Sequence, residues 1–121
     1  MKKLVLWMLL TMASSQCFSQ TIMDATIFKK TNLRTKQELE RRENIVTVIA
    51  FKPSTILVNG NTYKIIKKIS EEENDGVPLS DFFGIDPEGD AVEIMITAKN
   101  GVCVIQFIYG DISYLFSGTI R

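Results

Sequence analysis

Histidine is absent from the 121-residue sequence, and cysteine occurs only as Cys17 and Cys103. Ser-His and Cys-His nucleophiles are therefore excluded, because both need an imidazole base. Two cysteines are also too few for a disulfide framework. No residue pattern indicates the pair of carboxylates that a glycosidase needs. We therefore expect a protein that is not an enzyme and carries no cofactor.

An excess of charge of one sign is lacking as well, since 14 Lys and Arg residues balance 14 Asp and Glu residues. Such a balance offers no electrostatic footprint for nucleic acid, so we expect no nucleic-acid partner. The charges are nevertheless segregated: residues 20–69 hold ten basic and four acidic side chains, whereas residues 70–98 hold nine acidic and no basic ones. This pattern predicts solvated charged segments, with an electrostatic dipole that steers a partner as the alternative.

The long apolar run of this sequence lies at its amino terminus. Two lysines precede the run and small residues follow it within residues 1–19, as in a secretory signal peptide, and the run is too short to anchor the chain in a bilayer. We expect cleavage before Gln20, which also removes Trp7 and Cys17, with cleavage before Gln16 as the alternative. The mature chain is then expected to be secreted or periplasmic, without a transmembrane anchor.

Residues 91–120 carry the clearest structural pattern, three apolar stretches of strand length separated by two short turns. Asn100-Gly101 is the pair preferred in a two-residue type I′ hairpin, and Gly110-Asp111 suits type II′. Because side chains alternate along a strand, both turns place the same residues on one face, which we predict to be core. That face comprises Val92, Ile94, Ile96, Cys103, Ile105, Phe107, Tyr109, Ile112, Tyr114, Phe116 and Ile120.

Further short strands are predicted upstream, where β-branched and aromatic residues alternate with polar ones. They cover residues 45–51, 54–58, 63–69 and 82–85. The composition of residues 71–78 predicts a long solvated loop. Residues 86–90 predict a type I turn followed by a bulge.

The N-terminal segment, residues 20–44, allows several structures. Residues 21–28 suit one strand. Thr35 and Glu38 have the spacing of a capping box, which indicates a short helix over residues 36–43. Because the segment has few apolar residues, a polar edge strand and a mobile arm are the alternatives. The antiparallel meander is expected to occupy residues 45–121.

Seven or eight strands joined by tight sequential turns predict an all-β fold, an up-and-down antiparallel meander. Its apolar face is covered by closure into a small barrel, complete or incomplete, or by folding into a β-sandwich, and we favour the barrel. This arrangement resembles the lipocalins in strand number and connectivity, although their Gly-x-Trp signature has no counterpart, since Trp7 is the only tryptophan. The overall layout also resembles that of small exported β-meander proteins of Bacteroidetes-type bacteria, a resemblance that implies no activity. This layout is a leader ending near Phe18-Ser19-Gln20, followed by a meander with Asn59-Gly60, Asp86-Pro87-Glu88-Gly89 and Tyr109-Gly110-Asp111 turns.

Acidic residues gather at one predicted turn. Asp86, Glu88 and Asp90 converge there with Asp81 upstream, and carboxylate oxygens are ligands that calcium prefers. The Asp-Pro-Glu-Gly-Asp spacing does not match the EF-hand loop. Ordinary turn chemistry accounts for these residues, so we expect no metal site.

A row of small residues crosses the predicted core face, because the register sets Ala98 opposite Cys103 and Cys103 opposite Gly118. The row either admits another element of the protein, such as residues 21–28, or forms the mouth of a ligand-binding pocket. Packing is the favoured interpretation, with Cys103 as an unreactive buried thiol. In the pocket alternative, the protein is a lipocalin-like carrier of a small apolar ligand that these three residues bind.

The opposite face of the same three strands is too apolar to be simply solvated. Met95, Val104, Ile108 and Leu115 lie on it. Either the N-terminal segment covers this face, or it contacts a partner or a second copy of the chain. The favoured hypothesis is an exported binding or interaction module that contacts an unknown protein or envelope component through this face or through the acidic segment.

Overall fold

The computed structural model describes residues 21–74 and 76–121, and its regular structure consists of β-strands. The signal peptide predicted at residues 1–19 lies outside the described residues. The strands are β1 (Thr21–Asn32), β2 (Gln37–Phe51), β3 (Thr55–Val58), β4 (Asn61–Asn74), β5 (Val77–Ile85), β6 (Ala91–Lys99), β7 (Val102–Tyr109) and β8 (Ile112–Ile120). The predicted all-β meander of seven or eight strands is therefore confirmed, with eight strands.

The eight strands form a closed ring in which each strand pairs antiparallel with its sequence neighbours. Pairing of β1 with β8 joins the first strand to the last, from Met23 opposite Ile120 to Asn32 opposite Ile112. Strand β3 is the shortest link, since only three of its residues pair with β2. Closure agrees with the predicted small barrel and not with the two-sheet sandwich.

The two predicted turns set the register of β6, β7 and β8 as expected. Asn100 and Gly101 both have positive φ angles, 53° and 80°, as a type I′ turn requires. Gly110 has a φ of 58°, which suits the first position of a type II′ turn. The observed pairs include Ile94 with Phe107, Ala98 with Cys103, Phe107 with Tyr114 and Cys103 with Gly118.

Side chains from all eight strands pack in or against the interior of the ring. On β6, buried and less buried residues alternate along the strand, as expected for a strand with one face on the core. Other strands contribute the buried residues Met23, Ala25, Ile49, Phe51, Ile56, Phe82, Cys103, Ile105 and Phe107. Removing each large apolar side chain of this set from water stabilises the fold by about 1.5–3 kcal/mol.

The short helix predicted over residues 36–43 is wrong, because this stretch begins strand β2. Arg42 forms an ion pair with Glu40, two positions away, and side chains two positions apart share one side of a strand. Strand β1, which contains the strand predicted at residues 21–28, pairs with β2 from Asn32 back to Thr21. This long-range pairing overrides the local capping-box signal, as tertiary contacts often do.

Residues 33–36 form the turn that connects β1 to β2. The side-chain oxygen Oδ1 of Asn32 accepts hydrogen bonds from the backbone N–H groups of Arg34 and Thr35, at 3.0 and 3.1 Å. Lys36 closes the turn with a φ of 59°. Thr35 therefore lies in a turn that the Asn32 side chain organises, as asparagine commonly does.

The long solvated loop predicted at residues 71–78 is also wrong. Strand β4 continues to Asn74 and β5 begins at Val77, so only two positions separate the strands. Glu72 pairs with Leu79, and Glu73 pairs with Pro78. Successive glutamates have low strand propensity. Intrinsic propensity has a smaller effect on strand formation than pairing with a neighbouring strand does.

A Gly118→Ala substitution should destabilise the protein by about 2 kcal/mol or more, because β1 approaches this position closely. A Cβ atom here would lie 2.0 Å from the carbonyl oxygen of Asp24 and 2.6 Å from Cα of Ala25. Urea unfolding followed by circular dichroism measures the change. Ser117→Ala, at the neighbouring partly exposed position, is the control and should change the free energy of unfolding by less than about 0.5 kcal/mol. A Gly118→Ala variant as stable as the wild type would contradict this account.

Candidate functional site

A cavity of about 620 Å³ opens at one end of the ring, and we call it the mouth cavity. Three parts of the chain form it: the start of β4, the turn between β5 and β6, and the hairpin of β7 and β8. Its lining residues are Asn61, Tyr63, Asp86, Pro87, Glu88, Asp90, Phe107, Tyr109, Tyr114 and Phe116. The chain has three tyrosines, and all three line this cavity.

Aromatic rings in contact with one another form the wall of the mouth cavity. The ring centroids of Tyr63 and Phe107 lie 4.3 Å apart. Tyr109 meets Tyr114 edge to face at 5.9 Å, and Phe107 meets Phe116 in the same way at 6.2 Å. Such contacts stabilise ring positions beyond simple burial, so the wall is held in place before any ligand arrives.

Strand β1 extends this aromatic surface. Phe28 packs against Phe116, with ring centroids 5.1 Å apart, and is stacked 6.3 Å from Tyr114. The Nζ atom of Lys30 lies 5.5 Å from the centroid of the Tyr114 ring, which is the geometry of a cation–π contact. The tyrosine ring thus already attracts a positive charge from the protein itself.

Asp86 organises the turn between β5 and β6 and ties it to the aromatic wall. Its Oδ1 atom accepts hydrogen bonds from the backbone N–H groups of Glu88, at 2.9 Å, and Asp90, at 2.8 Å. Its Oδ2 atom accepts one from the Tyr109 hydroxyl at 2.8 Å. The expected turn chemistry is therefore confirmed, and the same carboxylate also positions a cavity-lining tyrosine.

These hydrogen bonds change the acidity of both partners. The pKa of Asp86 is lowered, chiefly by hydrogen bonding to the Asp90 backbone, so this carboxylate stays ionised. The pKa of Tyr109 is raised, first by burial and then by its hydrogen bond to Asp86, so the phenol stays protonated. The Tyr109 hydroxyl therefore donates its one proton to an ionised carboxylate, and the negative charge of Asp86 is held in a fixed position.

The charge of the mouth cavity is negative. Asp86, Glu88 and Asp90 are among its lining residues, and among the described residues no lysine or arginine lines it. Lys64 lines a smaller adjoining cavity of about 410 Å³, which shares Asn61, Asp86 and Pro87 with the mouth cavity. A ligand in the mouth cavity therefore meets aromatic rings and carboxylates together.

Three kinds of comparison were made between this chain and known proteins. None of them finds a match, whether to protein-family models, to curated proteins or to solved structures. Within residues 21–74 and 76–121, no helix has the length and apolar character needed to cross a lipid bilayer. In the same residues, no three side chains of the metal-binding types lie together so that they could hold a metal ion.

The small-residue row predicted from the register lies deep in the interior, away from the mouth cavity. Ala98 and Cys103 are 1% and 0% exposed, and Gly118 has the backbone of β1 directly against it. Burial raises the pKa of the Cys103 thiol to about 12. Strand β1 pairs with β8 as the next strand of the ring, with Ala25 opposite Gly118, so residues 21–28 lie beside the row. None of the three residues lines the mouth cavity.

The predicted interaction face lies on the outer wall of the ring. Met95 and Leu115 both pair with Gln106 across neighbouring strands, so these three side chains are adjacent. Val104 and Ile108 flank them on β7, and all four predicted residues are partly exposed. A partner for this face stays a prediction.

The predicted register places Tyr109, Tyr114 and Phe116 on the core face, but it does not predict the cavity that they line. All three are only partly buried. Tyr63 comes from a distant hairpin, and no local pattern links it to Phe107. The available signal was the position of every tyrosine near a turn, where a polar hydroxyl can reach solvent while the ring packs inside.

An acidic pair on the outer wall has unusual acidity. The pKa of Asp81 is raised to about 7, first by burial, then by a hydrogen bond and charge repulsion from Glu93, and by the charge of Glu72. In the unfolded chain the pKa of this carboxyl is near its ordinary value of 3.8. The folded protein therefore binds a proton that the unfolded chain releases, between these two values.

Stability contributed by Asp81 should be fully present at low pH and lost as the pH rises toward about 7. An Asp81→Asn variant lacks this loss, so its melting temperature relative to the wild type should increase between about pH 4 and about pH 8. Differential scanning fluorimetry across this range measures it. A difference in melting temperature between variant and wild type that does not change with pH would contradict the raised pKa of Asp81.

Asp24→Asn provides a control of opposite sign. A hydrogen bond from Arg121 lowers the pKa of Asp24, so its stabilising effect is present at neutral pH and lost on acidification. The melting temperature of Asp24→Asn should therefore fall below that of the wild type at neutral pH and approach it as the pH drops below about 4.

Tyr109→Phe should lower the free energy of unfolding by about 1 kcal/mol, the usual contribution of one hydrogen bond. The substitution removes the hydroxyl that donates to Asp86 but keeps the ring contact with Tyr114. Chemical denaturation measures the loss. Unchanged stability would show that the hydrogen bond contributes nothing to holding the turn.

Proposed function

We propose that the protein is an exported, non-enzymatic binding module that holds a small ligand in the mouth cavity. The observation that carries this proposal is the gathering of all three tyrosines of the chain, with Phe107 and Phe116, around one cavity. The leader pattern in residues 1–19 supports export.

The size and lining of the mouth cavity support ligand binding. Small-molecule sites commonly measure about 300–1,000 Å³ and combine aromatic walls with a few polar groups that orient the ligand. The mouth cavity has about 620 Å³, an aromatic wall and a rim of carboxylates. Partly exposed aromatic rings leave apolar surface in contact with water. A ligand that covers this surface removes it from water, which favours binding.

The chemistry of the described side chains supports a non-enzymatic role. Burial keeps the Cys103 thiol protonated, since its pKa is about 12, and only the thiolate is a good nucleophile. Asp86 is engaged by the backbone of its own turn and by Tyr109, so its carboxylate has a structural role. The absence of histidine from the sequence removes the commonest general base.

A lipocalin-like carrier is a special case of this proposal. In the version predicted from the sequence, the ligand is apolar and lies near Cys103. The mouth cavity favours a different ligand, because three carboxylates lie beside its rings. The proposed ligand therefore has an apolar body and a polar group.

Titration with benzyl alcohol, benzylammonium and benzoate, followed by ¹H–¹⁵N NMR, tests the proposal. The three probes share a phenyl ring and are neutral, positively charged and negatively charged, respectively. We expect at least one probe to shift the amide signals of residues that line the mouth cavity. Concentrations up to about 10 mM detect binding free energies as weak as about −3 kcal/mol. If none of the three probes shifts these signals, the proposed site is wrong.

Tyr114→Ala should weaken the binding of such a probe about two- to tenfold, because aromatic contacts contribute about 0.5–1.5 kcal/mol. The matched control is Val46→Ala, which shortens a side chain that is 85% exposed and does not line the cavity. The control should bind the probe as the wild type does. Equal weakening by both variants would show that binding does not depend on the mouth cavity.

A further inference from the structure

We propose that the ligand of the mouth cavity is an organic cation, with its ammonium group held between the tyrosine rings and the carboxylates of the β5–β6 turn. This inference rests on the proposed function and adds the chemical class of the ligand. It is carried by two features that lie in the same cavity, the charge of its rim and the nature of its wall.

The rim attracts cations and repels anions. Asp86, Glu88 and Asp90 come from one five-residue turn, and in the part of the chain that the structure describes no basic side chain lines the cavity with them. Hydrogen bonds from backbone N–H groups hold Asp86 ionised within the turn. A concave site lined by charge of one sign raises the local concentration of ligands of the opposite sign.

The wall suits a cation as well. The face of an aromatic ring carries negative charge density, which attracts ammonium groups within about 6 Å of the ring centroid. Lys30 already has this geometry, since its Nζ atom lies over the Tyr114 ring at 5.5 Å from the centroid, although Lys30 is not among the cavity-lining residues. Tyr63, Tyr109 and Phe116, which are partly exposed, present further ring surface around the same space.

Other ligand classes fit less well. An anion meets the carboxylates of the rim, and a wholly apolar molecule leaves them partly desolvated and unpaired, which is unfavourable. A neutral sugar stacks on aromatic rings and donates hydroxyl hydrogen bonds to carboxylates, but it carries no positive charge to balance theirs. An ammonium group attached to a small organic body uses the rings and the carboxylates together.

Choline and its neutral isostere 3,3-dimethylbutan-1-ol test the inference, because the two molecules differ in one atom and in charge. In an NMR titration we expect choline to bind the mouth cavity about tenfold more tightly, the factor expected from about 1.4 kcal/mol of cation–π attraction. Affinities within twofold of each other would overturn the cation inference and leave the proposed binding site intact. Binding of methyl β-glucoside without binding of choline would overturn it in the same way.

The experiments distinguish failure of the cation inference from failure of the proposed binding function. If neither choline nor the alcohol binds but benzyl alcohol or benzoate shifts the lining residues, the cation inference is wrong and the binding module stands. If no probe at all shifts them, both are wrong.

A Glu88→Gln/Asp90→Asn double variant tests the rim. The turn uses the backbone N–H groups of these residues, so the amide side chains leave its hydrogen bonds in place. We expect the affinity for choline to fall about three- to tenfold and that for 3,3-dimethylbutan-1-ol to stay unchanged. Glu73→Gln, an exposed carboxylate near the far end of β4, is the matched control and should bind both probes as the wild type does. A double variant that binds choline like the control would overturn the role of the carboxylates.

Discussion

The pairing of β1 with β8 is the interaction on which the rest of this structure depends, because it converts a meander into a closed ring. It is secured at both ends. The Arg121 guanidinium donates two hydrogen bonds of 2.9 Å to Asp24, and the Leu33 backbone N–H donates one of 2.6 Å to the Asp111 carbonyl. Gly118 lets the two strands approach between these points. Without closure, both strands would be open edges and the apolar interior would face water.

Closure of the ring also determines where a ligand can bind. Large side chains such as Phe51, Ile94 and Ile105 fill the interior, and the mouth cavity lies at one end, between strand ends and turns. There the Asp86 carboxylate has two roles, since it holds its own turn together and fixes the Tyr109 hydroxyl. Asp86 therefore contributes both to the fixed position of the aromatic wall and to the negative charge of the rim. This coupling is why the mouth cavity, rather than the small-residue row around Cys103, is the proposed site.

The parts of the fold that could be predicted from the sequence are those in which local chemistry and the final pairing agree. Asn100-Gly101 and Gly110-Asp111 specify short hairpins, and a short hairpin sets the register of both its strands. Residues 36–43 and 71–78 were predicted wrongly because their charged composition indicates helix ends and solvated loops. Their partners in β1 and β5 supply the backbone hydrogen bonds that stabilise them as strands.

The sequence by itself determined the strands of residues 91–120, their register and the alternation that buries Ile94, Ile96 and Phe107, because turn chemistry and period-two patterning are local properties. It also determined which chemistry is missing, since histidine is absent from every position. Only the tertiary structure decided that Tyr63, from a separate hairpin, lies 4.3 Å from Phe107, and that the turn of Asp86 borders both. Those contacts join residues more than 20 positions apart, and their geometry follows from ring closure, which no local pattern specifies.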